Sequence, residues 1–269
     1  MGKEKFKRTN VKSTILKKII IRFDFMGLTD VTGCANSLKE LMDGRFNEFS
    51  PVSNNNYNID LNKEYNQNHG FNVDLEKKTF YRFSKNEMGK SNAFFLLGDT
   101  FASIEIACDE DYEGCDVYIN TIAEAVDRIL KFDKFISVKR MGLRKIDKAV
   151  FNCVEQMEQA IEIPIWSNFA PNKHFLSIKK AYSDLIYQRD VNTIFNIKRI
   201  AQAVGTEDDS SFHFYLDIDS YKDGVLLLKD DFVNAQKIKK VLSEEMNEPL
   251  FNYFIQTFKE QYIESFYEE

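Results

Sequence analysis

The chain has 269 residues and a mass of 31.5 kDa, enough for one large domain or two modest ones at roughly 100 to 200 residues per domain. With 43% hydrophobic and 29% charged residues, and only 4 prolines and 11 glycines, its composition excludes the collagen-like, linker-rich and disordered classes. The net charge of −6 disfavours a protein whose whole surface binds phosphate backbones, although a local basic strip stays open.

The cysteines and the amino-terminal residues bear on metal binding and on the compartment. Cys34, Cys108, Cys115 and Cys153 form no C-x-x-C pair, and three histidines cannot complete a recognisable zinc pattern with them. We therefore expect buried free thiols, no metal site and no cofactor. The first 18 residues lack the apolar core of a signal peptide, and no run of about 18 apolar residues follows. These features predict a cytoplasmic protein without membrane contact.

The chain opens with a strand and a helix. Residues 15–25 are rich in isoleucine and phenylalanine with period-two alternation, which predicts a strand. Thr29 or Asp30 is a suitable cap for a helix with apolar residues at spacings of three and four, which Gly44 ends. Residues 46–75 contain three consecutive asparagines and few aliphatic side chains, so we predict a long loop or insertion.

The rest of the first half alternates strands with one long helix. Residues 79–84 read as a strand, and residues 93–108 as two strands interrupted at Gly98 and Asp99. Residues 116–132 have a helical apolar face, and residues 135–151 form a predicted long strand. The acidic run at 109–113 lacks the spacing of a calcium loop, and its place ahead of a helix favours a helix-start cluster.

The second half predicts a meander followed by helices. Residues 175–187, 192–203 and 211–219 are strand-like, with connections short enough for antiparallel neighbours. Helices are predicted over residues 232–244 and 246–266, the second with a wide apolar stripe.

This order of elements predicts an α+β fold with mainly antiparallel sheets covered on one face by helices. The division we expect is an N-terminal α+β half over residues 13–155 and a C-terminal β-meander with helices over 156–269. Whether the halves are similar to each other, and whether they pack as one domain, stays open at this point because no repeat keeps its register.

Four short segments carry a resemblance along nearly the full length. They are Tyr81-Arg82-Phe83-Ser84, the GLR strand at 140–147, Leu216-Asp217-Ile218-Asp219-Ser220-Tyr221 and the aromatic helix at 250–266. Through these segments the chain resembles a sporadically distributed prokaryotic family of uncharacterised proteins, which implies a cytosolic protein of similar fold and no known reaction. Where members of that family tend to continue with R-Y-x-N after the GLR segment, this chain has Lys145 and Asp147.

One candidate site lies on the last predicted strand. His213, Tyr215, Asp217 and Asp219 share a face because side chains repeat with period two. His213 and Asp217 would be about 13 Å apart along the strand, so they could converge only through a neighbouring strand or a ligand. The more ordinary interpretation is the solvated face of a strand buried on one side.

The second candidate is basic. Arg140, Arg144 and Lys145 give the GLR strand dense positive charge, and further lysines and arginines follow on the meander. Adjacent outward faces would form a strip for phosphate or nucleic acid. Cross-strand pairing with acidic residues is the favoured alternative, the candidates being Asp147, Asp184 and Asp190.

The closing aromatic helix offers a candidate interface. Its apolar stripe is wide enough to cover a sheet and to leave a surplus for a second subunit, which would give a homodimer. The residues are Leu250, Phe251, Phe254, Phe258 and Tyr262.

No triad, metal cluster or glycine cradle is evident, so our leading hypothesis is a non-enzymatic protein that binds a macromolecular partner, with a protein partner favoured. Such a protein would suit an accessory role in a phage-defence or toxin–antitoxin type system. The competing hypothesis is a nucleic-acid-processing or nucleotide-binding enzyme that uses Arg140, Arg144 and His213 on a basic sheet face.

Overall fold

The computed structural model describes residues 6–7, 15–58, 74–87, 90–108, 114–162, 180–189, 193–206, 209–224 and 234–267. The acidic run at 109–113, Asp190 and residues 175–179 of a predicted strand lie outside them. Nine strands form one antiparallel sheet. They are β1 (Leu16–Phe25), β2 (Glu48–Asn58), β3 (Asp74–Glu87), β4 (Lys90–Leu97), β5 (Phe101–Ala107), β6 (Val138–Phe151), β7 (Lys180–Gln188), β8 (Thr193–Thr206) and β9 (Asp209–Asp223).

The helices connect and follow these strands. Asp30 caps the first, since its Oδ1 accepts a hydrogen bond of 2.8 Å from the backbone N–H of Gly33. Gly44, just past its end, has a φ of +76°, a conformation that favours glycine. The helices are α1 (Val31–Met42), α2 (Cys115–Phe132), α3 (Val154–Ala160), α4 (Ala235–Lys240), a π-helical segment (Val241–Asn247), α5 (Glu248–Thr257) and α6 (Glu260–Glu264).

The strands pair in a similar order on the two sides of the sheet centre. Its strand order is β2-β3-β4-β5-β1-β6-β9-β8-β7. β1 and β6 pair antiparallel at the centre; on its other side β1 pairs with β5, and β6, which belongs to residues 13–155, pairs with β9 of residues 156–269. One continuous sheet therefore spans both predicted segments, 13–155 and 156–269, and the domain division stays a prediction.

Burial alternates along the central strands and distinguishes two faces of the sheet. On β1, Ile19, Ile21 and Phe23 are fully buried, whereas Arg22 and Asp24 point the other way. The register carries this alternation across β6, β9 and β8, because directly opposed residues share a face. We call the side that bears Ile19, Ile21 and Phe23 the apolar face, and the side that bears Arg22 and Asp24 the charged face.

Side-chain contacts link the helices to the apolar face. Thr32 of α1 hydrogen-bonds Tyr81 at 2.7 Å, and Glu245 of the π-helical segment lies 2.6 Å from Lys222 of β9. The ring of Phe258, after α5, meets Phe214 of β9 edge-on at 5.6 Å between centroids. These contacts join strands and helices around one hydrophobic core.

The prediction of an antiparallel α+β protein is confirmed. The predicted loop at 46–75 is wrong for residues 48–58, which form β2 in spite of their asparagines. β2 pairs with β3 along its whole length, with Phe49 opposite Phe83 and Val52 opposite Phe80. Cross-strand pairing therefore outweighs the low strand propensity of asparagine.

The predicted single helix over residues 246–266 is also wrong. The backbone is extended at Phe258 and forms a β-bridge with Ile161. The N–H of Lys259 donates to the carbonyl of Ala160 at 2.7 Å, which fixes the break between α5 and α6. No helix in the described part of the chain has the length and apolar character needed to cross a membrane.

Candidate functional site

The centre of the charged face brings together acidic and basic side chains from three strands. Arg144 of β6 lies opposite Asp219 of β9, and Ile146 lies opposite Asp217, so the arginine and both carboxylates share one face. Arg22 and Asp24 of β1 lie on the same face, across from Gly142 and Arg140. We call Arg22, Asp24, Arg140, Arg144, Asp217 and Asp219 the central ion-pair network.

Arg144 makes the best-defined pair of this network. Its Nε donates to Oδ1 of Asp217 at 2.7 Å, and its Nη2 donates to Oδ2 at 2.5 Å. This is the bidentate geometry in which a guanidinium recognises a carboxylate most specifically. The hydrogen bonds to Asp217 raise the pKa of Arg144.

Arg140 links the two neighbouring strands. Its Nη2 donates to Asp219 at 2.8 Å, and its Nη1 lies 3.9 Å from Asp24, which also accepts a 2.7 Å hydrogen bond from Arg22. The guanidinium of Arg140 also lies over the ring of Tyr221, 4.4 Å from its centroid. The pKa of Asp219 is raised above its ordinary value because burial disfavours the charged form, and the positive charges of Arg140 and Arg144 offset only part of this effect.

Gly142 lies between Arg140 and Arg144 on the charged face, opposite Tyr221 of β9. A Cβ at this position would lie 3.4 Å from the Tyr221 Cβ and 3.5 Å from an Asp219 carboxylate oxygen, which are ordinary van der Waals distances. The packing around the network therefore leaves room for a small side chain here and does not require a glycine.

His213 and Tyr215 lie farther along β9 on the charged face. Their rings meet edge-on with 6.3 Å between centroids, and the Ser211 hydroxyl lies 3.3 Å from Nε2 of His213. Desolvation by burial lowers the pKa of His213, and Lys148 lowers it further. Six positions separate His213 from Asp219, about 20 Å of strand, so the structure does not bring the imidazole to the carboxylate that Arg140 binds.

Lys145 lies apart from the two arginines. It is opposite Ile19 and Ile218 on the apolar face and is only 9% exposed. Asp147 lies on that face too, 5% exposed, and burial raises its pKa to about 7 while Lys145 acts to lower it. Period-two alternation turns consecutive side chains to opposite faces, so Arg144 and Lys145 cannot form one basic strip.

Sequence reasoning missed three members of this site. Arg22, Asp24 and Tyr221 complete the arrangement around Arg140. The alternation Arg22-Phe23-Asp24 in a predicted strand was a signal that two charges lie on one face. Which strand lies beside it depends on sheet order, and the sequence did not indicate that order.

The residues of the predicted interface lie on and beside α5. Leu250, Phe251 and Phe258 are buried in their own chain. Phe254 and Tyr262 are half-buried, and both rings contact Phe258 with 5.2 Å between centroids. Their role between two copies of the chain stays a prediction.

A shallow depression of about 240 Å³ lies near the start of α2. Arg45 contributes to its wall and donates to Glu124 at 2.8 Å. The other lining residues are Gly44, Phe46, Lys85, Val117, Tyr118, Asn120 and Thr121. None of the predicted site residues lines it.

Comparison with known proteins gives no family. No protein-family model and no curated protein matches the chain. Among solved structures, one similarity is to the di-domain ARO/CYC StfQ from the steffimycin biosynthetic pathway, with a TM-score of 0.18 and 8% sequence identity. It covers 71% of this chain and 80% of that one, and a TM-score this low carries no argument about fold or function.

Proposed function

We propose that this chain is a binding protein that recognises another protein through the charged face of its sheet. The observation that carries the proposal is the central ion-pair network with its arginine–tyrosine stack. It lies on the charged face, opposite the apolar face that Thr32 of α1 and Glu245 of the π-helical segment contact at Tyr81 and Lys222.

The proposal includes an inference about layers. The side chains of Thr32 in α1 and Glu245 in the π-helical segment meet the apolar face at Tyr81 and Lys222, and Phe258, between α5 and α6, meets it at Phe214. We infer that the helices cover this face and leave the charged face for a partner, the arrangement expected for an antiparallel sheet with one polar side.

The composition of the network favours a protein over a nucleic acid. Its three arginines and three carboxylates cancel in charge, and each arginine is hydrogen-bonded to a carboxylate of the same chain. Binding to a phosphate backbone depends on lysines and arginines that neutralise phosphates and release the counterions of the nucleic acid. The three arginines of the network already have carboxylates as neighbours. Arginine and tyrosine held in place by neighbours are typical of the energetic centres of protein interfaces.

The enzymatic alternative needs Arg140, Arg144 and His213 in one pocket. His213 lies about 20 Å along β9 from Asp219, the partner of Arg140, which argues against a shared reacting centre. The binding hypothesis requires no such convergence.

Affinity capture from the native host with variant baits tests the proposal. The test bait carries Arg140→Gln and Arg144→Gln, and the matched control carries Arg45→Gln and Lys131→Gln, which remove two ion-paired cations elsewhere. We expect recovery of the specific partner to fall about tenfold or more with the test bait and to be unchanged with the control.

Two outcomes would overturn the proposal. One is a protein partner that both baits capture equally well. The other is tight binding of purified protein to random-sequence RNA or DNA that weakens steeply with salt, measured by fluorescence anisotropy. The prediction of an accessory role in a phage-defence or toxin–antitoxin type system has the same test, because the captured partner would be the other component of that system.

A further inference from the structure

The two edges of the sheet differ in how they are protected against pairing with another strand. β2 forms one edge and carries Pro51, which has no N–H to donate to a neighbour. β7 forms the edge at the other end, and its sequence from Lys180 to Gln188 has no proline and no glycine. Proline is one of the devices by which proteins prevent unwanted edge pairing, and β7 lacks it.

β7 also exposes apolar side chains on both of its faces. Ile186 is 63% exposed and Tyr182 is 47% exposed on the charged face, while Leu185 and Tyr187, at 47% and 36%, lie on the apolar face. Among the described residues, β8 is the only strand that pairs with β7. The exposed carboxylate between these residues, Asp184, accepts a 2.8 Å hydrogen bond from the hydroxyl of Tyr182.

The order of residues in β7 is compatible with its own antiparallel copy. With the two-fold axis at Ile186, the two Ile186 side chains face each other, Leu185 faces Tyr187, and Asp184 faces Gln188. Apolar residues then oppose apolar residues, and no two like charges meet. An axis at Asp184 would instead place two carboxylates opposite each other, which is unfavourable.

We infer that β7 is the docking site for a second copy of this chain, which adds its own β7 antiparallel, with Ile186 at the two-fold axis. The contact is isologous, since the same strand serves both subunits and closes the assembly at two chains. Both sheets become continuous across the axis, and the main-chain groups of the two Ile186 residues form ladder hydrogen bonds with each other. This surface is separate from the central ion-pair network, so the inference stands independently of the proposed function.

Light scattering after size-exclusion chromatography tests the self-association. We expect the wild-type chain to approach twice its mass of 31.5 kDa as concentration rises. Ile186→Lys, which places two ammonium groups at the axis, should weaken dimerisation by about tenfold or more. Phe135→Lys is the matched control, because Phe135 is 96% exposed and lies just before β6, which is three strands from β7 in the sheet, and it should not change the mass.

Cross-linking tests the register. Ile186→Cys places two thiols opposite each other and should give a disulfide-linked dimer under mild oxidation. Gln188→Cys places its two thiols about 13 Å apart along the strands and should not give a disulfide-linked dimer.

Three outcomes would each overturn the inference: a wild-type mass of one chain at all concentrations, a dimer that Ile186→Lys leaves intact, or equal cross-linking at both positions. Far-UV circular dichroism of every variant confirms that the exposed substitutions leave the fold unchanged.

Discussion

At the scale of single residues, the pair formed by Arg144 and Asp217 shows how strand register brings two opposite charges into hydrogen-bond distance. Both groups lie on the charged face, and their two hydrogen bonds join β6 to β9. Their side chains are 42% and 15% exposed, so solvent screens the charges only in part. The pair is therefore expected to contribute more than an ordinary surface ion pair and less than a fully buried one.

A double-mutant cycle on this pair tests that expectation. We expect Arg144→Met and Asp217→Asn to show a coupling free energy of about 1 kcal/mol in urea unfolding. The helical pair Lys131 and Asp127 serves as control, and its more exposed lysine should give roughly 0.3–0.5 kcal/mol. Equal coupling in the two pairs would show that the bidentate geometry adds nothing.

Asp147 predicts a dependence of stability on pH. Burial raises its pKa from 3.8 to about 7, so between these pH values the folded chain binds more protons at this site than the unfolded chain. Its contribution to the free energy of unfolding is therefore present at low pH and is lost as pH rises to about 7.

The variant Asp147→Asn isolates this effect. We compare the free energy of unfolding of the variant with that of the wild type, measured by urea unfolding at pH 5 and at pH 8. We expect this difference to favour the variant at pH 8 by on the order of 2 kcal/mol more than it does at pH 5. Asp184→Asn, which removes a carboxyl group from an exposed position of β7, is the matched control. A stability difference that is the same at pH 5 and pH 8 would contradict the assignment.

The sequence predicts which residues of one strand share a face, but not which residues meet across strands. His213, Tyr215, Asp217 and Asp219 alternate as period two requires. The sequence offers Asp147, Asp184 and Asp190 as partners for the basic residues of these strands, whereas Arg140 and Arg144 pair with Asp24, Asp217 and Asp219. Register and sheet order decide this, and both depend on pairing between distant segments.

At the scale of elements, the carboxyl-terminal helices show where periodicity fails. The apolar stripe from Leu250 to Ile263 has helical spacing and predicts one uninterrupted helix. The break at Phe258 arises from backbone pairing with Ile161, which lies 97 positions earlier in the chain. Local spacing carries no information about such a partner, so this feature could not be predicted from the sequence.

Phe258 anchors this break in the core. It is fully buried, and its ring contacts Phe214, Phe254 and Tyr262 at 5.2–5.6 Å between centroids. We expect Phe258→Ala to lower the free energy of unfolding by about 3–5 kcal/mol, because truncation leaves a cavity among these rings. Phe135→Ala removes the same atoms from a 96% exposed side chain and should change stability by less than about 0.5 kcal/mol in the same urea titration. Similar losses for the two variants would show that α5 and α6 do not depend on this contact.

At the scale of the whole molecule, the pairing of β6 with β9 decides how the two halves depend on each other. β6 belongs to residues 13–155 and lies between β1 of the same half and β9 of the other half, and the buried residues of both halves belong to one hydrophobic core. Antiparallel α+β character was predictable because it follows from element order and short connections. The union of the halves in one sheet was not, since β6 and β9 are more than fifty residues apart in the chain.

This arrangement predicts that neither half is stable alone. A fragment of residues 156–269 leaves β9 without β6, its partner from Phe212 to Asp223, and removes Phe151 from its contact with Tyr262. We expect each separate half to give a poorly dispersed NMR spectrum, and the two halves to regain dispersion when they are mixed or co-expressed. The full chain should unfold in one transition in urea, with the same midpoint by circular dichroism and by NMR. A fragment in which β9 lacks its partner β6 can fold only if the remaining hydrophobic core is sufficient on its own. A well-dispersed spectrum from residues 156–269 alone would therefore show that the halves are independent domains.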